Sequence, residues 1–129
     1  GAEMTLRRGR TAKDREVSER IASHRRQNQP PMRGTAGSFF RNPDAAAGLF
    51  AGRMIEEAGL KGYRRGGAEV SKRHANFLFN PGNAAAKDLL ELAIEVQSKV
   101  CVRTGIQLMP EVCIVGRGSD QWRVRLGAA

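Results

Sequence analysis

Two side chains in this chain have the type and setting for acid or base chemistry: the hydroxyl of Ser38 and the carboxylate of Glu111. Ser38 stands in the run Gly37-Ser38-Phe39-Phe40-Arg41-Asn42-Pro43. A glycine before it permits an unusual backbone angle and close approach of a ligand. Two large rings after it can anchor the segment in a core. Asn42-Pro43 then ends regular structure, because proline lacks a donor and restricts the residue before it. A serine pinned in this way is either a reactive group or an ordinary strand end. Glu111 lies in Met109-Pro110-Glu111-Val112-Cys113-Ile114-Val115. Strand alternation sends Val112 and Ile114 one way and Glu111, Cys113 and Val115 the other. Apolar neighbours favour the neutral carboxyl. The bland alternative is a strand-end glutamate that reaches solvent.

Other candidates carry less. Glu56 and Glu57 are adjacent, but helical spacing puts them on the wet side of an apolar stripe, where a carboxylate pair is solvation. Cys101 and Cys113 are the only cysteines and show no metal-ligand spacing. They read as reduced core thiols, and no metal site is expected. His74 opens a short apolar run, where a ring bonded to backbone is the structural alternative to a ligand-facing one.

The elements that would position these groups follow from periodicity. Met4–Arg8 reads as an edge strand. Thr11 and Asp14 resemble a capping pair ahead of a helix from about Ala12 to Gln27, which should pack by a narrow face of Val17 and Ile21. Ala47, Phe50, Ala51, Met54, Ile55 and Ala58 share one helical face, with Asp44 as cap and Gly59 as stop. Gly66-Gly67 opens two strands, about Ala68–Ser71 and Asn76–Asn80. Asn83 can cap a helix from about Ala84 to Arg103, with Leu89, Leu92, Ala93, Val96 and Val100 inward. A last strand is expected over about Leu108–Val115. The result is an α+β fold: a small, mainly antiparallel sheet with helices packed on one face.

With 129 residues the chain is one domain, 1–129, with a core of about 4–116 and a polar tail, 117–129, expected to be poorly ordered. No apolar run approaches the ~20 residues that span a membrane. No apolar stretch follows the basic residues near the start, so no signal peptide is read there, and a cytoplasmic location is expected. The formal net charge is +9, with arginine crowded into the first quarter. Such a surplus fits nucleic acid, an anionic small ligand, or a basic face toward another domain. One Trp and one Tyr leave little aromatic interleaving, which disfavours nucleic acid.

The ordered blocks Gly37-Ser38-Phe39-Phe40-Arg41-Asn42-Pro43, Ile55-Glu56-Glu57-Ala58-Gly59-Leu60-Lys61-Gly62, Gly66-Gly67-Ala68-Glu69-Val70-Ser71, His74-Ala75-Asn76-Phe77 and Pro110-Glu111-Val112-Cys113-Ile114-Val115-Gly116 resemble one family. It is the carboxy-terminal, substrate-binding domain of UDP-N-acetylenolpyruvoylglucosamine reductase, also called UDP-N-acetylmuramate dehydrogenase. The resemblance runs from about Arg25 to Gly116 and looks like the shorter form of the family.

The resemblance implies a flavoenzyme of peptidoglycan precursor synthesis that uses FAD and NADPH. It implies that Ser38 gives a proton to the enolpyruvyl carbon and that Glu111 helps to stabilise the enol-like intermediate. It implies that Asn42 contacts the substrate diphosphate and that His74 takes a polar substrate-binding position. Asn28-Gln29-Pro30 departs from the usual Lys-Gln-Pro, so a phosphate-binding lysine is missing at Asn28, and Arg25 or Arg26 would have to compensate. Arg65 stands where an apolar residue is usual. No glycine fingerprint for a dinucleotide is visible. The flavin-binding domain is therefore expected upstream of Gly1, with this chain unable to hold FAD and inactive alone. The rival expectation is a stand-alone basic module for nucleic acid or an acidic partner, which would show tight, salt-sensitive, sequence-blind binding. A third is a degenerate domain kept for interaction only.

Overall fold

Leu92, Ala93, Val96 and Val100 recur at helical spacing, and all four are fully buried. They form the inner stripe of a long helix, the beam against which the rest of the molecule packs. The computed structural model describes residue 5 and residues 11–30 and 33–127. Among these the elements run α1 (Thr11–Asn28), α2 (Ala51–Glu57), β1 (Arg64–Arg65), β2 (Ala68–Val70), β3 (Leu78–Phe79), α3 (Ala86–Thr104) and α4 (Ser119–Leu126). The strands make a three-stranded antiparallel sheet in the order β1-β2-β3. Helix α3 packs on all three strands and also meets α2 and α4. Phe40, Ile55, Val70, Leu108 and Leu126 complete the core around it. The fold class is the expected small α+β type.

Polar side chains tie α3 to the sheet. The Asp88 carboxylate accepts the N–H of Ala85 at 3.0 Å and that of Gly67, in the β1–β2 turn, at 3.1 Å. The Gly67 bond, then the Ala85 bond, hold its carboxyl below the ordinary carboxylate value. Arg65 reaches Glu91 at 3.1 Å and Glu95 at 3.3 Å, so the arginine at an expected apolar position is an outward-facing link from hairpin to helix.

Several expectations are corrected. Helix α1 has nearly the expected span but buries nothing, and Val17 and Ile21 are exposed. Two large apolar residues in eighteen are too thin a stripe to dock a helix. Helix α2 begins at Ala51, not near Asp44. Asp44 instead closes a turn, accepting from Ala47 N–H through Oδ1 and from Leu49 N–H through its carbonyl, and Gly48 (φ +76°) breaks any helical run. Strand β1 was missed because Arg64-Arg65 has no apolar alternation. Helix α3 takes its N-terminal bond from Asp88, while the Asn83 side chain makes none among the described residues; Asn80 organises that turn by accepting from Gly82 and Ala84.

The strand expected over Leu108–Val115 is a single bridge, Phe40 to Pro110, flanked by bonds from Arg41 N–H to Met109 O and from Glu111 N–H to Phe39 O, each 2.8 Å. Residues 119–126 of the supposed loose tail are helix α4, whose Leu126 is fully buried. Cys113 is exposed, so it is not a core thiol; Cys101 is half-buried, and both are free. The proposed strand Met4–Arg8 lies, apart from Thr5, outside the described residues.

Candidate functional site

Ser38 is carried on an extended segment sewn into place from both sides. Ser38 bridges Phe77, just before β3, and Phe40 bridges Pro110. Phe39 donates its N–H to Asn76 O at 2.8 Å. Gly37, at φ +89°, has nothing within 4 Å of where a Cβ would stand, so the turn needs glycine for its angle and not for space. Phe39 and Phe40 are both buried and meet edge to face with centroids 5.0 Å apart.

The grip on this segment is completed by a residue the sequence reading missed. Asn76 is 3% exposed. Its Oδ1 accepts the Phe40 N–H at 2.9 Å and its Nδ2 donates to the Phe40 carbonyl at 2.8 Å. The side-chain amide thus imitates a neighbouring strand. The signal was present: an asparagine inside the apolar run Ala75–Phe79 has to find partners for its buried amide.

Asn42 follows at the end of the segment. Its Oδ1 accepts the N–H of Ala51 at 3.1 Å, capping α2 where Phe50 offers no side-chain cap. That bond turns the carbonyl end of the amide to the helix and leaves Nδ2 as a donor.

His74 is half-buried, with its ring edge-on to Phe77 at 4.9 Å. Its Nδ1 accepts the N–H of Asn76 at 3.3 Å, which assigns the proton of the neutral ring to Nε2. Burial, and then the Lys61 charge, push its pKa down from the ordinary 6.5, against a smaller opposing pull from Glu56. Helix α2 presses on this ring: a Cβ at Gly52 would stand 2.9 Å from His74 Cε1.

Ser38, Asn42, His74 and Glu111 all line one cleft of about 350 Å³, together with Gly52 and Arg73 among others. Glu111 is exposed, so the expected apolar enclosure of its carboxylate is corrected. The chain turns away after Pro110, and only the even side chains, Val112 and Ile114, pack inward. Of the cleft's charges, Arg53 pairs with Glu57 at 2.7 Å and Glu56 with Lys61 at 2.6 Å. Arg73 and Glu111 have no ion pair among the described residues. Arg25 and Arg26 do not line the cleft, whereas Arg73, whose Nη1 donates to Arg26 O at 3.3 Å, does. Asn28 closes the end of its own helix by donating to His24 O at 2.9 Å. The cleft therefore offers a hydroxyl, a carboxylate, an imidazole N–H, an amide donor and a cation to one polar, anionic guest.

Residues 29–115 match the model of the UDP-N-acetylenolpyruvoylglucosamine reductase C-terminal domain. The UDP-N-acetylenolpyruvoylglucosamine reductase of Syntrophomonas wolfei is 47% identical over 113 residues, covering 88% of this chain and 37% of the relative. That of Heliobacterium modesticaldum is 46% identical over 119 residues, covering 92% and 37%. Among solved structures, the crystal structure of UDP-N-acetylenolpyruvylglucosamine reductase from Thermus caldophilus superposes with a TM-score of 0.61 at 39% identity, over 80% of this chain and 35% of that one. The chain thus spans little more than a third of the length of these relatives. On a matched stretch that carries the whole cleft, from Ser38 to Glu111, this chain belongs to the UDP-N-acetylenolpyruvoylglucosamine reductase C-terminal domain family.

Proposed function

We propose that this chain is the substrate-binding and proton-donating part of a flavin-dependent, cytoplasmic reductase. The enzyme converts UDP-N-acetylenolpyruvoylglucosamine to UDP-N-acetylmuramate in peptidoglycan precursor synthesis. One observation supports this above the others: Ser38 and Asn42 of one segment, His74 of a second and Glu111 of a third line one cleft.

The family implies FAD and NADPH. A dinucleotide diphosphate is cradled where a glycine turn leads from a strand into a helix N-terminus. Gly66-Gly67 is instead the turn of the antiparallel β1–β2 hairpin, and Gly34 and Gly37 lie in the loop before Ser38. The described residues do not fit FAD. Both cofactors are assigned to a flavin-binding domain elsewhere in the longer protein, and these residues act on the substrate alone.

An enolpyruvyl group that gains hydride at its terminal carbon carries negative charge toward its carboxylate, and the adjoining carbon then takes a proton. The Ser38 hydroxyl makes no hydrogen bond to another described residue and is held by the bridges around it, so it is poised as that donor. To Glu111, beside it through the Glu111–Phe39 backbone bond, we give the role of steadying the enol-like intermediate through a hydrogen bond between its carboxyl group and the enol oxygen. The Asn42 amide and the His74 Nε2–H serve as donors to the diphosphate and the polar part of the substrate.

The test is Ser38→Ala in the complete reductase, with the two half-reactions followed by stopped flow. Flavin reduction by NADPH should be nearly unchanged. Reoxidation by the enolpyruvyl substrate should slow by ~10² to 10⁴, the usual worth of a positioned general acid. Substrate affinity should move far less, since one hydroxyl contributes only ~1 kcal/mol to a ground-state contact. Equal slowing of both half-reactions, or loss of binding alone, would make Ser38 a structural or binding residue.

A further inference from the structure

The stretch that carries Glu111 has little rigidity of its own. Its pairing stops at Pro110, Cys113 and Val115 are exposed, and Gly116 turns at φ +112°. It is nevertheless held on both sides of Glu111 by side chains with no part in the chemistry described above. Gln97, buried in α3, uses both hydrogens of Nε2, donating to Leu108 O at 2.6 Å and to Leu126 O at 3.0 Å. Arg123, on α4, directs one edge of its guanidinium at Ile114 O, with Nε at 2.9 Å and Nη2 at 2.6 Å. An oxygen of the exposed Asp120 lies 3.6 Å from Arg123 Nη1. Leu108 and Leu126 are fully buried in the same core. Between these two grips lies the Glu111 N–H bond to Phe39 O, one residue from Ser38.

We propose that α4 is a positioning element of the cleft. Through Arg123, and together with Gln97, it fixes residues 108–114 and so sets where the Glu111 carboxylate stands relative to Ser38. The inference rests on the role given to Glu111 under Proposed function. It adds a function for a helix that lies beyond the stretch 29–115 matched by the family model. A planar guanidinium suits the task, because its fork fixes direction as well as distance.

The experiment uses the complete reductase and four variants: Arg123→Ala, Arg123→Lys, Glu111→Gln, and Arg123→Ala with Glu111→Gln. Amide hydrogen exchange is followed over residues 108–115, and the two half-reactions by stopped flow. In Arg123→Ala, exchange at Glu111 should quicken by about tenfold as the local anchor is lost. Reoxidation by substrate should slow by about tenfold, since small misplacement of a reacting group is costly, while KM and flavin reduction by NADPH stay near wild type. Arg123→Lys keeps the charge without the fork and should recover part of the rate; it also serves if Arg123→Ala fails to fold. In the Glu111→Gln background, Arg123→Ala should slow reoxidation no further, because both changes act on one group. Unchanged exchange over 108–115, losses that multiply in the double variant, or equal decline of both half-reactions would overturn the proposal. Faster exchange beside a Glu111→Gln enzyme that reoxidises at the wild-type rate supports the anchoring and overturns instead the role given to Glu111.

Discussion

At the residue scale, His74 is tuned by what covers it. Helix α2 and Phe77 keep water from part of its ring, and Lys61 adds a repelling charge, so the neutral form is favoured. A folded pKa below the unfolded ~6.5 means that the folded state binds fewer protons between those two values. The stability contributed by the neutral ring is therefore complete above about pH 6.5 and is lost as pH falls from there to the folded value. Proton NMR should place the His74 ring titration below ~6.5, and His74→Gln should flatten the pH dependence of unfolding in that window. A midpoint at or above the ordinary value would mean that the ring is open to water. Asn76 works at the same scale by different means. Its amide substitutes for a missing strand beside Phe40, and so transfers the rigidity of the core to Ser38 two residues away.

At the scale of elements, the close approach of α2 to His74 separates stability from function. Glycine inside a helix costs roughly 0.5–1 kcal/mol relative to alanine. Gly52→Ala would recover that propensity, but its Cβ would stand 2.9 Å from His74 Cε1, so the ring has to move. The two effects oppose, and unfolding free energy should change by less than ~1 kcal/mol. The cleft should not escape. Calorimetric titration of the complete enzyme should show weaker UDP-sugar binding, because the imidazole donor is displaced. Unaltered affinity would remove His74 from the binding surface. The short helix also depends on Asn42, whose bond to Ala51 makes one side chain both cap and cleft wall.

Across the whole molecule, one core under α3 unites cleft and carboxy-terminal helix. Leu126 is fully buried, and its carbonyl shares Gln97 with Leu108. Leu126→Ala should cost about 2–5 kcal/mol, the range for a buried leucine that leaves a cavity. Denaturant unfolding measures it; a loss well under 1 kcal/mol would show α4 to be only loosely docked. The surplus of basic residues acts at this scale as well. With a formal charge of +9, the molecule attracts anionic guests before any contact forms, and ionic strength should slow their arrival. Helix α1, with five basic and three acidic side chains, contributes +2 of that charge and buries none of its residues.

The sequence by itself determined the α+β class, the inner stripe of α3, the glycine stop after α2 and the set of residues to inspect in the cleft. The first three rest on local rules, helical period and backbone permission at glycine, which neighbours far along the chain do not change; of the cleft residues, Asn42 and the binding role of His74 came from the family resemblance of the sequence. Tertiary structure alone decided the rest. Whether Leu108–Val115 becomes a strand depends on a partner, and among the described residues only Phe40 bridges to it. Whether residues 119–126 are a loose tail or a packed helix depends on a single leucine finding a gap beside Gln97. Whether Glu111 is enclosed or open depends on where the chain turns after Pro110. Burial and pairing are properties of pairs distant in sequence, so a reading of periodicity could name Ser38 and Glu111 but not the Asn76, Gln97 and Arg123 side chains that hold the stretches beneath them.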